Sequence, residues 1–132
     1  MSKLITELKQ EHSKLVQTLQ EVKRLGISNP DAREMLIKAK NALLDHLKKE
    51  DEKLYPVLRN KAKQNSELNS ILNVFAKDME GVSKAAMDFF NKYENISASG
   101  IEFAKDFGGL YAALGNRIRK EEDILYKEFD KI

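Results

Sequence analysis

Four segments of this 132-residue chain carry apolar residues at alternating steps of three and four, and that spacing constrains the fold more than any other feature. In the first, Leu8, His12, Leu15, Leu19 and Val22 lie on one helix face. The second runs Leu36, Ala39, Leu43, His46, Glu50, Leu54, Val57, and the third Leu68, Ile71, Phe75, Met79, Val82, Ala86, Phe89, Tyr93. Phe103, Phe107, Leu110, Leu114, Arg117, Glu121 and Leu125 form the fourth. Punctuation agrees with the periods. Ser2 is suited to cap the first helix and Gly26 to stop it, and Asn29-Pro30-Asp31 reads as cap, first helical residue and acidic first turn. Pro56 predicts a kink or an early end near Tyr55, and Ser99 with Glu102 has capping-box spacing. Alternating β-branched runs are lacking, so strands are not expected. Helices near 3–25, 30–62, 66–94 and 100–131, joined by short polar links, predict an all-α, up-down-up-down antiparallel four-helix bundle, one domain over residues 1–132.

Composition narrows the class. With 42% hydrophobic and 33% charged residues the chain has enough apolar surface to fold and enough charge to stay dissolved. It contains no cysteine, which removes disulfides, thiol chemistry and cysteine-based zinc sites. Its 23 basic and 21 acidic residues are interleaved, leaving no one-sided basic stripe for nucleic acid. No apolar run is long enough for a signal peptide or a membrane span, and a cytoplasmic protein is expected. Nor does a P-loop, a GxGxxG or a nucleophile triad occur, and no enzymatic activity is expected.

What interrupts the seams is more informative. His12, His46, Glu50, Arg117 and Glu121 occupy positions where Leu or Ala would serve, and charge placed in a core is costly unless it is paired or metal-bound. Counting residues from the three links brings His12, His46, Val82 and Arg117 to one height within about a turn. Glu50 and Glu121 each follow one turn along the same face. The run Lys49-Glu50-Asp51-Glu52-Lys53-Leu54-Tyr55 is echoed by Lys120-Glu121-Glu122-Asp123-Ile124-Leu125-Tyr126 at an offset of 71 residues, so the chain reads as two copies of one helical hairpin. Phe75, Phe89, Phe103 and Phe107 have core spacing; Phe90 and Tyr111 fall beside the seam, where partial exposure is expected.

Glu11-His12, His46-Leu-Lys-Lys-Glu50 with Leu54-Tyr55-Pro56, and Glu121-Glu122 with Leu125-Tyr126 resemble the hemerythrin-like (HHE) cation-binding family over essentially the whole chain. The resemblance implies a four-helix bundle around a non-haem di-iron centre used in oxygen binding, oxygen or redox sensing, or iron handling. It implies His12, His46, Glu50 and Glu121 as ligands. The second half departs from the pattern: where histidines are expected it has Val82 (or, one register off, Gly81) and Arg117, and the chain holds only 2 His. An ordinary di-iron centre is therefore not expected. One reading is a mononuclear site of His12, His46, Glu50 and Glu121, with Glu122 as an alternative ligand. It would take iron, zinc or manganese, with a small diatomic molecule as a further ligand. Arg117 then stands in for the lost cation and pairs with both carboxylates. The other reading is a metal-free bundle, its charges balanced by Arg117 and a protonated imidazole, that serves as a regulatory or protein-interaction module.

Overall fold

Local capping chemistry sets the start of each of the first three helices. The computed structural model describes residues 2–94 and 100–132 and contains no strand among them. Helix α1 spans Lys3–Leu25; the Ser2 hydroxyl accepts the Ile5 N–H (3.2 Å), and Gly26 closes the helix at φ +84°, donating its N–H to Val22 O (3.0 Å). Helix α2 covers residues 30–62. Asn29 Oδ1 accepts the Asp31 N–H at 2.8 Å, and Pro30 occupies the first turn, where its missing donor costs nothing. Helix α3 spans Ser66–Glu94, capped by Asn65 Oδ1 on the Leu68 N–H (3.1 Å). Helix α4 covers residues 100–130; the Ser99 end of the expected capping box lies outside the described residues.

The four helices form the antiparallel bundle that their short links require, with α1 between α2 and α4, and α3 facing the other side of the same pair. An even number of antiparallel helices returns both termini to one end, and the Ser2 N–H there donates to Asp130 Oδ1 (3.3 Å). The interior is two apolar cores. One, around Leu15, Leu19, Leu36, Leu43, Phe89 and Phe107, fills the end nearest the α1–α2 link. The other, around Leu8, Leu54, Leu58, Leu72, Phe75 and Leu125, fills the opposite end. His12, His46, Glu50, Arg117 and Glu121 are all buried between them.

Immediately after this polar layer both α2 and α4 widen into a π turn, over Glu50–Leu54 and Glu121–Leu125. The Tyr55 N–H bonds Glu50 O and the Tyr126 N–H bonds Glu121 O, five residues back instead of four. Pro56 thus ends nothing: the helix continues to Ala62, and the residue without an N–H sits where the ladder is already interrupted. Nor is proline the common cause, because Lys127 holds the equivalent place in α4. At 3.6 residues per turn, five residues rotate a side chain roughly 140° off its starting face, whereas the wider turn keeps it inward. Tyr55 and Tyr126 are both buried as a result.

The same insertion moves the downstream seam of α2 by one position. Val57, expected inside, is 39% exposed, and Leu58 is 0% exposed. In α3, Leu72 replaces Ile71 as the buried residue, and Phe90, expected to be partly exposed, is fully buried beside Phe89. Gly81, Gly108, Gly109 and Gly115 neither break their helices nor bring neighbours close, since a Cβ on any of them would meet nothing within 4 Å. The phase shift gives a direct test by urea denaturation. Leu58→Ala is expected to cost about 2–5 kcal/mol. Val57→Ala should stay within about 0.5 kcal/mol. An uninterrupted α-helix would give the reverse order.

Candidate metal centre

The layer between the cores is built from one residue of α1 and two each of α2 and α4. His12, His46, Glu50 and Glu121 each present one ligand-type atom, and these four atoms lie within 4.8 Å of one another. His46 Nε2 is 3.6 Å from Glu50 Oε1, and His12 Nε2 is 3.9 Å from Glu121 Oε2. The imidazole rings touch, with centroids 4.5 Å apart. A cavity of about 20 Å³ opens from His12, His46, Arg117 and Glu121 toward Met79 and Val82 on α3, room for one water-sized species.

The outward nitrogens of both histidines are held by carboxylates. His12 Nδ1 donates to Glu122 Oε2 at 2.9 Å, and His46 Nδ1 donates to Glu11 Oε1 at 2.8 Å. Burial works against the charge on Glu11, but Lys49 and His46 beside it outweigh this and keep its carboxyl below the usual range. An ionised carboxylate only accepts, so the imidazole supplies the proton at Nδ1 and turns a bare Nε2 inward. Lys49 closes this chain at the surface by pairing with Glu11. Glu122, weighed from sequence as a ligand, is thereby placed on the far side of His12 from the cluster, its side chain 31% exposed.

Arg117 departs from expectation in a different way. It reaches one carboxylate, not two: Nε donates to Glu121 Oε1 (3.1 Å), Nη1 to Phe75 O (3.0 Å) and Nη2 to the Tyr55 hydroxyl (2.9 Å). Its guanidinium also lies 4.6 Å from the centre of the Phe75 ring. Among the described residues no ion pair joins it to Glu50. Glu50 is bonded instead by Tyr126, which helical periodicity does not place on the seam. The Tyr126 oxygen is 2.9 Å from Glu50 Oε2, 3.2 Å from Glu121 Oε2 and 3.2 Å from His12 Nε2. The signal was present in the sequence as Glu-x-x-x-x-Tyr at the same place in both repeats.

Acceptors outnumber donors in this layer. Two bare imidazole nitrogens and the inward carboxylate oxygens share the phenolic proton of Tyr126, and the bond that Arg117 gives the layer goes to Glu121 Oε1. His46 Nε2 and Glu50 Oε1 are buried with no hydrogen-bond partner. Each such orphan costs about 1–3 kcal/mol. Electrostatics shows what a metal-free layer does in response. Burial and the neighbouring Glu50 push the Glu121 carboxyl well above its ordinary value, against the pull of Arg117. Burial also acts to raise Glu50, but Glu121, His46 and Tyr126 overcome it and hold Glu50 at about 2. The pair therefore shares one proton. Burial and the His46 charge lower His12, while Glu50 and Glu11 outweigh burial and raise His46. Burial and both carboxylates raise Tyr126. A cation coordinated by the four inward atoms would satisfy the same surplus without those protons, and two imidazoles with two carboxylates form a donor set for a borderline divalent ion. The residues present therefore fit a metal.

Removal of Arg117 leaves Tyr55 and Glu121 short of a buried partner. Arg117→Leu is expected to destabilise the chelator-treated protein by about 3–5 kcal/mol, read from urea denaturation.

Comparison with known proteins agrees with this geometry. Residues 3–129 match the family model of the hemerythrin HHE cation binding domain. No curated protein and no solved structure matches the chain. A family model spanning almost the entire sequence, on a four-helix bundle with a buried His/Glu cluster, has one reading: the chain belongs to the hemerythrin HHE cation-binding domain family.

Proposed function

We propose that the protein holds one metal ion through His12 Nε2, His46 Nε2, Glu50 and Glu121, and uses it in sensing oxygen or redox state or in metal handling in the cytoplasm. The observation that carries this reading is the surplus of buried acceptors, above all the unpartnered His46 Nε2 and Glu50 Oε1. Among the described residues a second ion has no counterpart ligands. On α3 the layer is met by Met79, Val82 and Ser83, and the matching position of α4 is filled by Arg117, a permanent cation. Two imidazoles and two carboxylates suit Fe(II), Zn(II) or Mn(II), and family membership favours iron. A bound iron would supply Lewis acidity and an accessible change of oxidation state. The chain's own residues do the rest. Glu11 and Glu122 fix the imidazole tautomers, Arg117 holds Glu121 in place, and the two apolar cores keep water from the layer. The small cavity facing Met79 and Val82 leaves room beside the ion for one water-sized species.

The shared Glu50–Glu121 proton favours a second reading, in which the layer persists without metal and the bundle is an interaction or regulatory module. Elemental analysis of protein purified anaerobically without chelator, then exposed to Fe(II), Zn(II) or Mn(II), separates the two. The metal reading expects close to one ion per chain, lost in His46→Ala with helical content retained by circular dichroism; no ion under any condition leaves the metal-free module. Glu11→Gln should weaken metal binding by about 10–100-fold, because it releases the His46 tautomer.

Metal uptake must displace the protons on Glu121 and His46. Both are held more tightly than in the free side chains, so affinity should rise with pH and fall as pH drops through the His46 range, which lies above 6.5. Competition with a chromophoric chelator at several pH values reads this slope; a flat profile contradicts the assignment of these two groups as ligands.

A further inference from the structure

Tyr126 stands in a different relation to the cluster from the other polar neighbours. Glu11, Glu122 and Arg117 contact the ligand residues from outside, on Nδ1 or on the far carboxylate oxygen. The Tyr126 oxygen contacts inward atoms of three of the four: Glu50 Oε2 at 2.9 Å, Glu121 Oε2 at 3.2 Å and His12 Nε2 at 3.2 Å. Bonds of roughly 2.1 Å at right angles put neighbouring ligand atoms of one ion roughly 3.0 Å apart. The phenolic oxygen thus already keeps, to three atoms at once, the separations that ligands of a shared ion keep. One hydroxyl proton serves one acceptor at a time, so Tyr126 cannot donate to all three of these atoms at once.

From this geometry we infer that Tyr126 is a fifth protein ligand, binding as the phenolate when the site holds ferric iron. The inference rests on the metal-site reading above. Charge selects the oxidation state. Arg117 offsets Glu121, leaving Glu50 as the only uncompensated negative charge in the layer. A divalent ion brings the layer to one positive charge, and a ferric ion would bring two. Loss of the phenolic proton on ligation returns the ferric layer to one. In the ligation the O–H bond breaks, the proton leaves to solvent, and an oxygen lone pair goes to the metal; no electron changes hands. The π turn at Glu121–Leu125 is what makes this available, because it turns Tyr126 inward beside Glu121. Its repeat mate Tyr55 is turned inward in the same way but is committed to Arg117.

The test is optical. The full-length protein is loaded with ferric citrate, and separately with Zn(II), and bound metal is counted in each sample. The ferric protein is expected to show a visible phenolate-to-iron charge-transfer band, with tyrosinate ring modes enhanced in resonance Raman, and the zinc protein to be colourless. Tyr126→Phe should lose the band per bound iron, while Tyr55→Phe and Tyr111→Phe keep it. Iron-loaded wild type without the band, or a band that survives Tyr126→Phe, overturns the inference and leaves the four-ligand reading standing. Should Tyr126→Phe take up no iron, Tyr55→Phe decides. Tyr93 lies in the core at the other end of the bundle and Tyr111 packs against it, so a retained band with tyrosinate modes assigns it to Tyr126, and a lost band assigns it elsewhere. Wild type that binds no ion of any kind contradicts both the inference and the reading beneath it.

Discussion

Everything in this bundle is arranged around a buried layer with more acceptors than protons. Two apolar cores of ordinary composition press on it from either end, so neither bulk water nor mobile side chains can satisfy it. Neutral residues of the same size would pack there at lower cost, and replacing buried ion pairs in that way is often stabilising. That the layer instead holds two imidazoles, two carboxylates, a guanidinium and a phenol points to a role that requires their charge. A metal-free protein copes by sharing one proton between Glu50 and Glu121 and by charging His46. A cation does the same with one particle, and it leaves no orphan at His46 Nε2 or Glu50 Oε1.

The duplicated hairpin explains how such a layer comes to be lopsided. Both halves keep the buried glutamate, the π turn that starts at it, and the tyrosine that the turn carries inward. They differ one turn earlier, where α2 has His46 and α4 has Arg117. That one difference sets the two tyrosines to opposite work. Beside Arg117 the guanidinium takes Tyr55 as its acceptor, and the positive charge of the second half comes from the chain itself. Across the layer Tyr126 faces His12 and both carboxylates, and that side is left for a cation from outside.

The bundle and its polar layer were legible in the sequence because helix periodicity and link lengths are local properties. Apolar steps of three and four fixed the faces, and residue counts from the links brought His12, His46, Val82 and Arg117 to a common height, where all four line one cavity. What the sequence hid around the polar layer traces to two causes. The π turns insert one residue into a regular period, which moved burial from Val57 to Leu58 and concealed the inward turn of Tyr126. Long side chains also choose among partners in three dimensions. Arg117 passes over Glu50 for Tyr55 and the Phe75 carbonyl, and Glu122 reaches the outer nitrogen of His12 instead of the cluster. Helical spacing places the Cβ of such residues but not the end of the side chain.

The central claim is that one ion sits among His12, His46, Glu50 and Glu121. Anomalous diffraction at the absorption edge of the loaded metal, from crystals grown with iron or zinc, tests it most directly. The account predicts a single peak per chain within bonding distance of both inward imidazole nitrogens and of a carboxylate oxygen from each glutamate. Two peaks, a peak on the Arg117 side of the layer, or no peak in crystals of protein saturated with metal would contradict it.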